Sequence, residues 1–307
     1  MTSFRPLRRS QSPSSQPAGD YASKRSRLEV NTTTNETASV KFLVHSDTRD
    51  AELAATLPQC DVLLHCGDLT EDGSPASLEK VGKAIGKAKA ELKLVLAGGS
   101  GKDHLEARAL ISLNEDSEAS KNGIIFLDEG THTFTLKSGS TFNIYASPYT
   151  PKYGSSAFQY PVGQNVGTEK SVIPNGVDVV MTHGPPKYIL DTITNGRIAG
   201  CEHLRRAIAC VQPRLHCFGH VHRGYGAQRI EYDGTRTLEG DPDFVSSLPK
   251  EWVGKNQAKR KGYASLPPNS AEAFRENKGH TLWLMLRLWM RRMSLGVLLD
   301  LSIWIYP

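Results

Sequence analysis

Residues 61–68 read DVLLHCGD. An unbroken apolar run that stops at a glycine and a carboxylate is the pattern of a short strand, buried on both faces, ending in a tight turn. The pattern recurs in VKFLVHSD (40–47), LKLVLA (92–97), VDVVMTH (177–183) and RLHCFGHVH (214–222). Helical stretches lie between these runs. SPASLEKVGKAIGKAKAEL (74–92) offers Ser74 as an N-cap, Pro75 at the first helical position and apolar residues at helical spacing. GCEHLRRAIACVQ (200–212) is similar, and Pro213 ends it. Residues 124–147, IIFLDEGTHTFTLKSGSTFNIYAS, alternate in polarity and turn on Ser138-Gly139, which predicts a β-meander with a hairpin. Strands alternating with helices, with some antiparallel β, predict an α/β layered domain over about residues 39–240.

In open α/β sheets, ligands bind at the carboxyl ends of strands. Asp47, Asp68, His183, His220 and His222 each close an apolar run. Carboxylate and imidazole together suit Zn, Mn, Fe or a similar divalent ion. The strand period of two puts His220 and His222 of GHVH on one side of an extended segment. Imidazoles so placed reach two ions at the ~3.5–4 Å separation of two-metal sites. Gly219 allows a close approach. Asp68, following Gly67, sits on a tight turn from which a carboxylate bridges both ions. A bridged pair lowers the pKa of a bound water and gives hydroxide near neutral pH for in-line attack on phosphorus. His45, His65, His132, His203 and His216 read instead as hydrogen-bonded structural groups.

LVLAGGSGKDH (94–104) ends a strand pattern in a glycine-rich turn. As a phosphate-cradling Walker loop ending at Gly101-Lys102 it fails on spacing. That loop needs glycine where Leu96 stands and Ser or Thr where Asp103 stands.

Composition sets the limits. The 307 residues are 38% hydrophobic and 22% charged, which suits a soluble globular protein. The net charge of +5 is uneven, because residues 1–38 hold six basic residues against three acidic ones. That stretch is rich in Ser, Thr and Pro and reads as a disordered basic tail, with no specific nucleic-acid partner. No apolar h-region stands near Met1. The five cysteines are odd in number and form no CxxC pair, which predicts reduced, mostly buried thiols in a cytoplasmic or nuclear protein. Residues 279–307 change character: three of the four Trp and three of the five Met fall there. The change reads as a shifted reading frame or an altered exon boundary. Arg287, Arg291, Arg292 and Asp300 cut its apolar stretch below the ~20 residues of a transmembrane span.

SDT (46–48), LLHCGDLTEDGS (63–74), VVMTHGPP (179–186) and CFGHVHRGYG (217–226) resemble the calcineurin-like metallophosphoesterases, and within them the small metallophosphoesterase-domain branch with its fungal members. The resemblance covers roughly residues 40–278 and implies a domain over 39–278. It implies an α/β fold, the four-layer α/β/β/α metallophosphoesterase sandwich of two mixed β-sheets flanked by helices. It also implies two divalent ions (Mn, Fe or Zn) and a hydrolase acting on a small phosphate ester or nucleotide, phosphodiester or phosphomonoester. The family pattern is D-x-H, G-D, G-N-H-D/E, a later H, and G-H-x-H. Carried over, one ion takes Asp47, Asp68 and His222, the other takes Asp68, His183 and His220, and Asp68 bridges.

The chain departs from this pattern twice. Arg49 stands where the family has the histidine of D-x-H, and a guanidinium cannot ligate a cation. It repels an ion beside it unless it swings out to solvent or to a substrate phosphate, which it suits. The N-H-D/E segment expected after Gly98 is absent. Asp103 or His104 folding back is one replacement for the lost pair, so Arg49 and His104 are the candidate phosphate contacts. The expectation is a metal-dependent phosphoesterase of weakened activity. The alternative is a non-catalytic metal- or nucleotide-binding pseudo-enzyme.

Overall fold

The computed structural model describes residues 39–51, 53, 57–98, 115–152, 158–161, 173–221, 226–232, 245–247, 263–265, 280–285 and 296–302. The tail 1–38, Asp103, His104 and His222 lie outside the described residues. The first half of the domain runs β1 (Ser39–His45), β2 (Val62–His65), α1 (Pro75–Gly86), β3 (Leu92–Leu96), α2 (Glu118–Lys121) and β4 (Ile124–Leu127). It continues with β5 (Gly130–Thr135), β6 (Thr141–Ser147), β7 (Thr150–Pro151), β8 (Gln159–Tyr160) and β9 (Val179–Thr182). The second half comprises α3 (Glu202–Val211), β10 (Leu215–Phe218), β11 (Gly226–Glu231), β12 (Val245–Ser247), β13 (Tyr263–Ser265), β14 (His280–Met285) and β15 (Gly296–Ser302).

Two mixed sheets result. One has six strands in the order β13-β15-β1-β2-β3-β4, and the other seven in the order β12-β11-β14-β10-β9-β6-β5. β7 and β8 pair separately. In the first sheet β1 to β4 are parallel neighbours, and α1 supplies the crossover from β2 to β3. In the second, β6, β9 and β10 are parallel, and α3 crosses from β9 to β10.

Side-chain alternation assigns the layers. Phe42, Val44, Val62, Leu64, Leu94 and Leu96 of the first sheet share one core with Phe142, Ile144, Val179, Met181, Leu215 and Leu284 of the second. Phe42 and Phe142 meet edge to face across that core, 5.4 Å between ring centroids. The opposite faces are buried too, which is why the strands read as unbroken apolar runs. Leu43, Leu63 and Val95 pack on Val81 and Ile85 of α1, while Tyr145, Val180 and Phe218 pack on Leu204 and Ile208 of α3. The order is therefore helix, sheet, sheet, helix, the four-layer sandwich.

Local chemistry sets the helix ends. The Ser74 hydroxyl accepts the Ser77 N–H at 3.2 Å, and Pro75 opens α1. The helix stops at Gly86, shorter than the 74–92 pattern, because Leu92 is already needed beside Val62 in the parallel ladder. α3 is capped by the Cys201 sulfur and closes on a left-handed Gln212, just before Pro213. The segment 279–307, set apart by composition, contributes two strands. β14 lies between β10 and β11, and β15 runs antiparallel to β1. Leu282 and Leu284 of β14 are buried in the shared core. Among the described residues no helix is long and apolar enough to cross a membrane.

Three histidines are fully buried inside this frame. Burial lowers His45 to about 4 and His65 and His216 to about 3. Each is neutral when folded and takes up a proton on unfolding below its ordinary value near 6.5. Their contribution is thus complete above that pH and is lost as pH falls towards 4, at about 1.4 kcal/mol per pH unit for each histidine. Urea unfolding between pH 7 and pH 4 is expected to show this falling stability, and His216→Asn is expected to make the fall shallower by about one histidine's share.

Candidate metal centre

β1 and β2 end side by side, with His45 paired to His65 in register. Beyond the strands their turns continue as partners. Asp47 N–H bonds the Gly67 carbonyl at 2.9 Å, Arg49 N–H the Asp68 carbonyl at 3.0 Å and Asp50 N–H the Leu69 carbonyl at 3.0 Å. Asp47, Arg49, Asp50 and Asp68 all take positive φ, at 53°, 43°, 62° and 53°. Non-glycine residues held there store strain, and such strain gathers at functional sites.

His65 bolts the two turns together. The single hydroxyl proton of Thr48 goes to the Leu69 carbonyl at 3.2 Å, so His65 Nε2–H donates to Thr48 Oγ1 at 3.0 Å. His65 Nδ1 accepts the Gly67 N–H at 3.3 Å. Both ring nitrogens are satisfied only in the neutral form, in keeping with the lowered pKa. His65 was read from sequence as structural, and it is; what the pattern did not carry is that it ties together the turns bearing Asp47 and Asp68.

The second sheet delivers imidazoles to the same rim. His183 follows β9, and Gly219-His220 follows β10. Gly219 N–H bonds the His183 carbonyl at 3.0 Å. His183 Nδ1 lies 2.8 Å from the Cys66 carbonyl, so Nδ1 carries a proton and Nε2 is the nitrogen turned towards Asp68. That Nε2 is 3.5 Å from Asp68 Oδ1. Both atoms are buried and have no hydrogen-bond partner among the described residues. The His220 ring stands edge-on to His183 with centroids 5.0 Å apart. Asp47, fully buried, accepts the His220 N–H on both carboxylate oxygens at 3.1 Å. Of the five ligands expected, Asp47, Asp68, His183 and His220 thus lie along one rim.

Arg49 points inwards. Its Nη2 donates to Asp68 Oδ2 at 2.9 Å, and Nη1 is 3.9 Å from Glu71 Oε1. Its Nε–H is buried and has no hydrogen-bond partner among the described residues. Burial pushes the Asp68 carboxyl up, but His183, Arg49 with its hydrogen bond, and His220 outweigh that and hold it down at about 2. Asp68 is therefore an anion at neutral pH.

On one side of Asp68 a carboxylate oxygen and an imidazole nitrogen face each other in a buried site, an arrangement that a shared proton or a metal ion resolves. On the other side the carboxylate oxygen already holds a guanidinium, and Asp47 holds a backbone N–H. Among the described residues no three His, Cys, Asp or Glu side chains converge closely enough to hold an ion as they stand.

Glycine is required behind His183. A β-carbon on Gly98 would stand 2.7 Å from the His183 ring, and the Gly98 carbonyl accepts the Asp68 N–H at 3.2 Å. Gly219 is hemmed in by Ser46 and Asp47 in the same way. Gly98→Ala is expected to lower stability by about 1–3 kcal/mol through overpacking. Urea unfolding of the single variants and of Gly98→Ala with His183→Ala checks it: most of the loss should vanish in the double variant, where the ring is gone.

No protein-family profile matches the chain. It is 35% identical over 217 residues to "Probable rhamnogalacturonate lyase C" of Emericella nidulans, covering 69% of this chain and 20% of that protein. It is 32% identical over 216 residues to human "Metallophosphoesterase domain-containing protein 1", covering 64% of each. It is 32% identical over 199 residues to a UPF0046 protein of Caenorhabditis elegans, covering 63% of this chain and 67% of that protein. The chain thus spans 20% and 64% of the length of the first two relatives. Among solved structures, phosphopantetheinyl hydrolase of Mycobacterium tuberculosis is 12% identical with a TM-score of 0.40, covering 69% of this chain and 97% of that one.

Proposed function

The chain belongs to the metallophosphoesterase-domain (UPF0046) branch of the calcineurin-like phosphoesterases, a hydrolase family, and from that premise we propose that it is a divalent-metal-dependent hydrolase of small phosphate esters or nucleotides whose activity is weakened. One observation carries the reading: buried Asp68 Oδ1 and His183 Nε2 face each other at 3.5 Å, and neither has a hydrogen-bond partner among the described residues. Asp68, His183 and His220 are the residues that would hold an ion there, with Asp47 and His222 completing the set carried over from the family. Manganese, iron and zinc suit these donors. A divalent ion, when bound, supplies Lewis acidity to the phosphoryl group.

The chain's own residues do the rest. The Cys66 carbonyl fixes the His183 tautomer and turns its basic nitrogen inwards. The Asp47 carboxylate clamps the His220 backbone and so sets where that ring stands. The half-buried Arg49 guanidinium is the donor the chain offers a phosphoryl oxygen. The family's general-acid histidine has no counterpart at its expected place after Gly98, and losing a general acid lowers rates by ~10²–10⁴. The Arg49–Asp68 pair is the observation that favours the rival reading, a pseudo-enzyme that binds metal or nucleotide without turnover. The five cysteines are free thiols, four of them buried, which fits a reducing compartment such as cytoplasm or nucleus.

Hydrolysis of bis-p-nitrophenyl phosphate with Mn²⁺ tests this reading. Turnover is expected at a rate ~10²–10⁴ below that of a relative with the complete motif set, abolished by EDTA and by Asp68→Asn. Turnover that survives EDTA would rule out the metal-dependent reading. A rate equal to that of the complete relative would rule out the weakened site.

A further inference from the structure

We infer that the Arg49 guanidinium stands in for the first ion of the centre, so that the protein binds one divalent ion per chain where the complete motif set would bind two. The inference rests on the reading of this rim as a cation site. It concerns only the half of the rim that Asp47, Asp68 and His222 were expected to furnish.

Three observations carry it. First, Arg49 is fastened at both ends to the residue it would have to release. Its backbone N–H bonds the Asp68 carbonyl at 3.0 Å, and its Nη2 donates to Asp68 Oδ2 at 2.9 Å. An ion on Asp68 Oδ2 would have to share that oxygen with the guanidinium, and two cations held so close repel. A guanidinium cannot shed its proton to relieve that contact. Second, Arg49 is surrounded by the negative charge an ion would otherwise neutralise. Its Nη2 lies 2.9 Å from Asp68 Oδ2 and its Nη1 3.9 Å from Glu71 Oε1. Third, the two oxygens of Asp68 have different surroundings. Oδ2 faces Arg49, and Oδ1 faces His183 without a partner among the described residues. The bridging role expected of Asp68 is kept in form, with a fixed organic cation on one oxygen and the other left for an inorganic one.

The test is the number of Mn²⁺ ions bound per chain, measured by equilibrium dialysis and by electron paramagnetic resonance on the full chain. Wild type is expected to bind one, with the signal of an isolated ion. Arg49→His restores D-x-H and is expected to bind two, with the coupled signal of a close pair. Histidine also tolerates the positive φ of 43° at this position. Arg49→Lys keeps the charge and is expected to stay at one. Arg49→Gln removes the charge without supplying an imidazole. It is expected to bind a second ion more weakly than Arg49→His, and it serves if the histidine variant fails to fold. Two ions in wild type, or no additional ion in either neutral variant, would overturn the inference. The baseline and the gain report separately: zero ions in wild type would sink the proposed function, whereas one ion in wild type and no gain on removing the charge would sink only the role of Arg49.

Discussion

The hydrogen bond from His183 Nδ1–H to the Cys66 carbonyl, 2.8 Å long, is the joint on which the candidate centre hangs. It joins the rims of the two sheets, as does the His220 N–H bond to Asp47. The first sheet places Asp47 and Asp68, and the second places His183 and His220. Packing Phe42, Leu64 and Leu94 against Phe142, Met181 and Leu215 brings the sheets face to face but leaves their ends open at the rim. The bond to Cys66 then fixes the His183 ring in one orientation, with Nε2 turned towards Asp68. Gly98 has to lack a side chain for the ring to fit.

Burying charge at such a rim is unfavourable unless each charge finds partners. Asp47 is fully buried and takes the His220 N–H on both oxygens, so its negative charge holds a turn of the opposite sheet. Asp68 takes Arg49 on one side, and Arg49 leans towards Glu71. Four positive-φ residues in these turns add strain that the paired backbone of the β1 and β2 extensions holds in place. The same pairing presents both carboxylates to the same small volume.

The strand ends were legible because each apolar run stops at a carboxylate or an imidazole, and a parallel ladder keeps neighbouring ends level. Asp47 and Asp68 follow from β1 beside β2, and His183 and His220 from β9 beside β10. The helix, sheet, sheet, helix order was legible too, since runs as apolar as LVLA require cover on both faces. The direction of Arg49 was not. A long flexible side chain turns towards solvent or inwards according to charges on a neighbouring turn, and one-dimensional spacing does not encode which. Nor was it legible that Asp47 would accept a backbone N–H from 173 positions away. The two strands after residue 278 were masked by composition. β14 and β15 lie in sheets whose partners, β10 and β1, sit far upstream, and a Trp- and Met-rich stretch carries no period that announces such pairing.

The inward arginine alters what the centre needs in order to fold. Two carboxylates facing imidazoles with no cation between them would repel one another, and such a rim would lean on bound ions for its shape. Here one positive charge is covalent. Arg49 neutralises part of the Asp47, Asp68 and Glu71 cluster from within the chain, and its backbone belongs to the same pair of turns. A half-buried ion pair of this kind contributes little net stability over apolar packing, but breaking it strands the buried charge of Asp68. Selection for a folded rim and selection for a full pair of ions therefore pull in opposite directions at position 49. A histidine there makes the site a better metal receptor and leaves the apo rim short of positive charge, whereas the arginine makes the rim self-sufficient and narrows its capacity for ions.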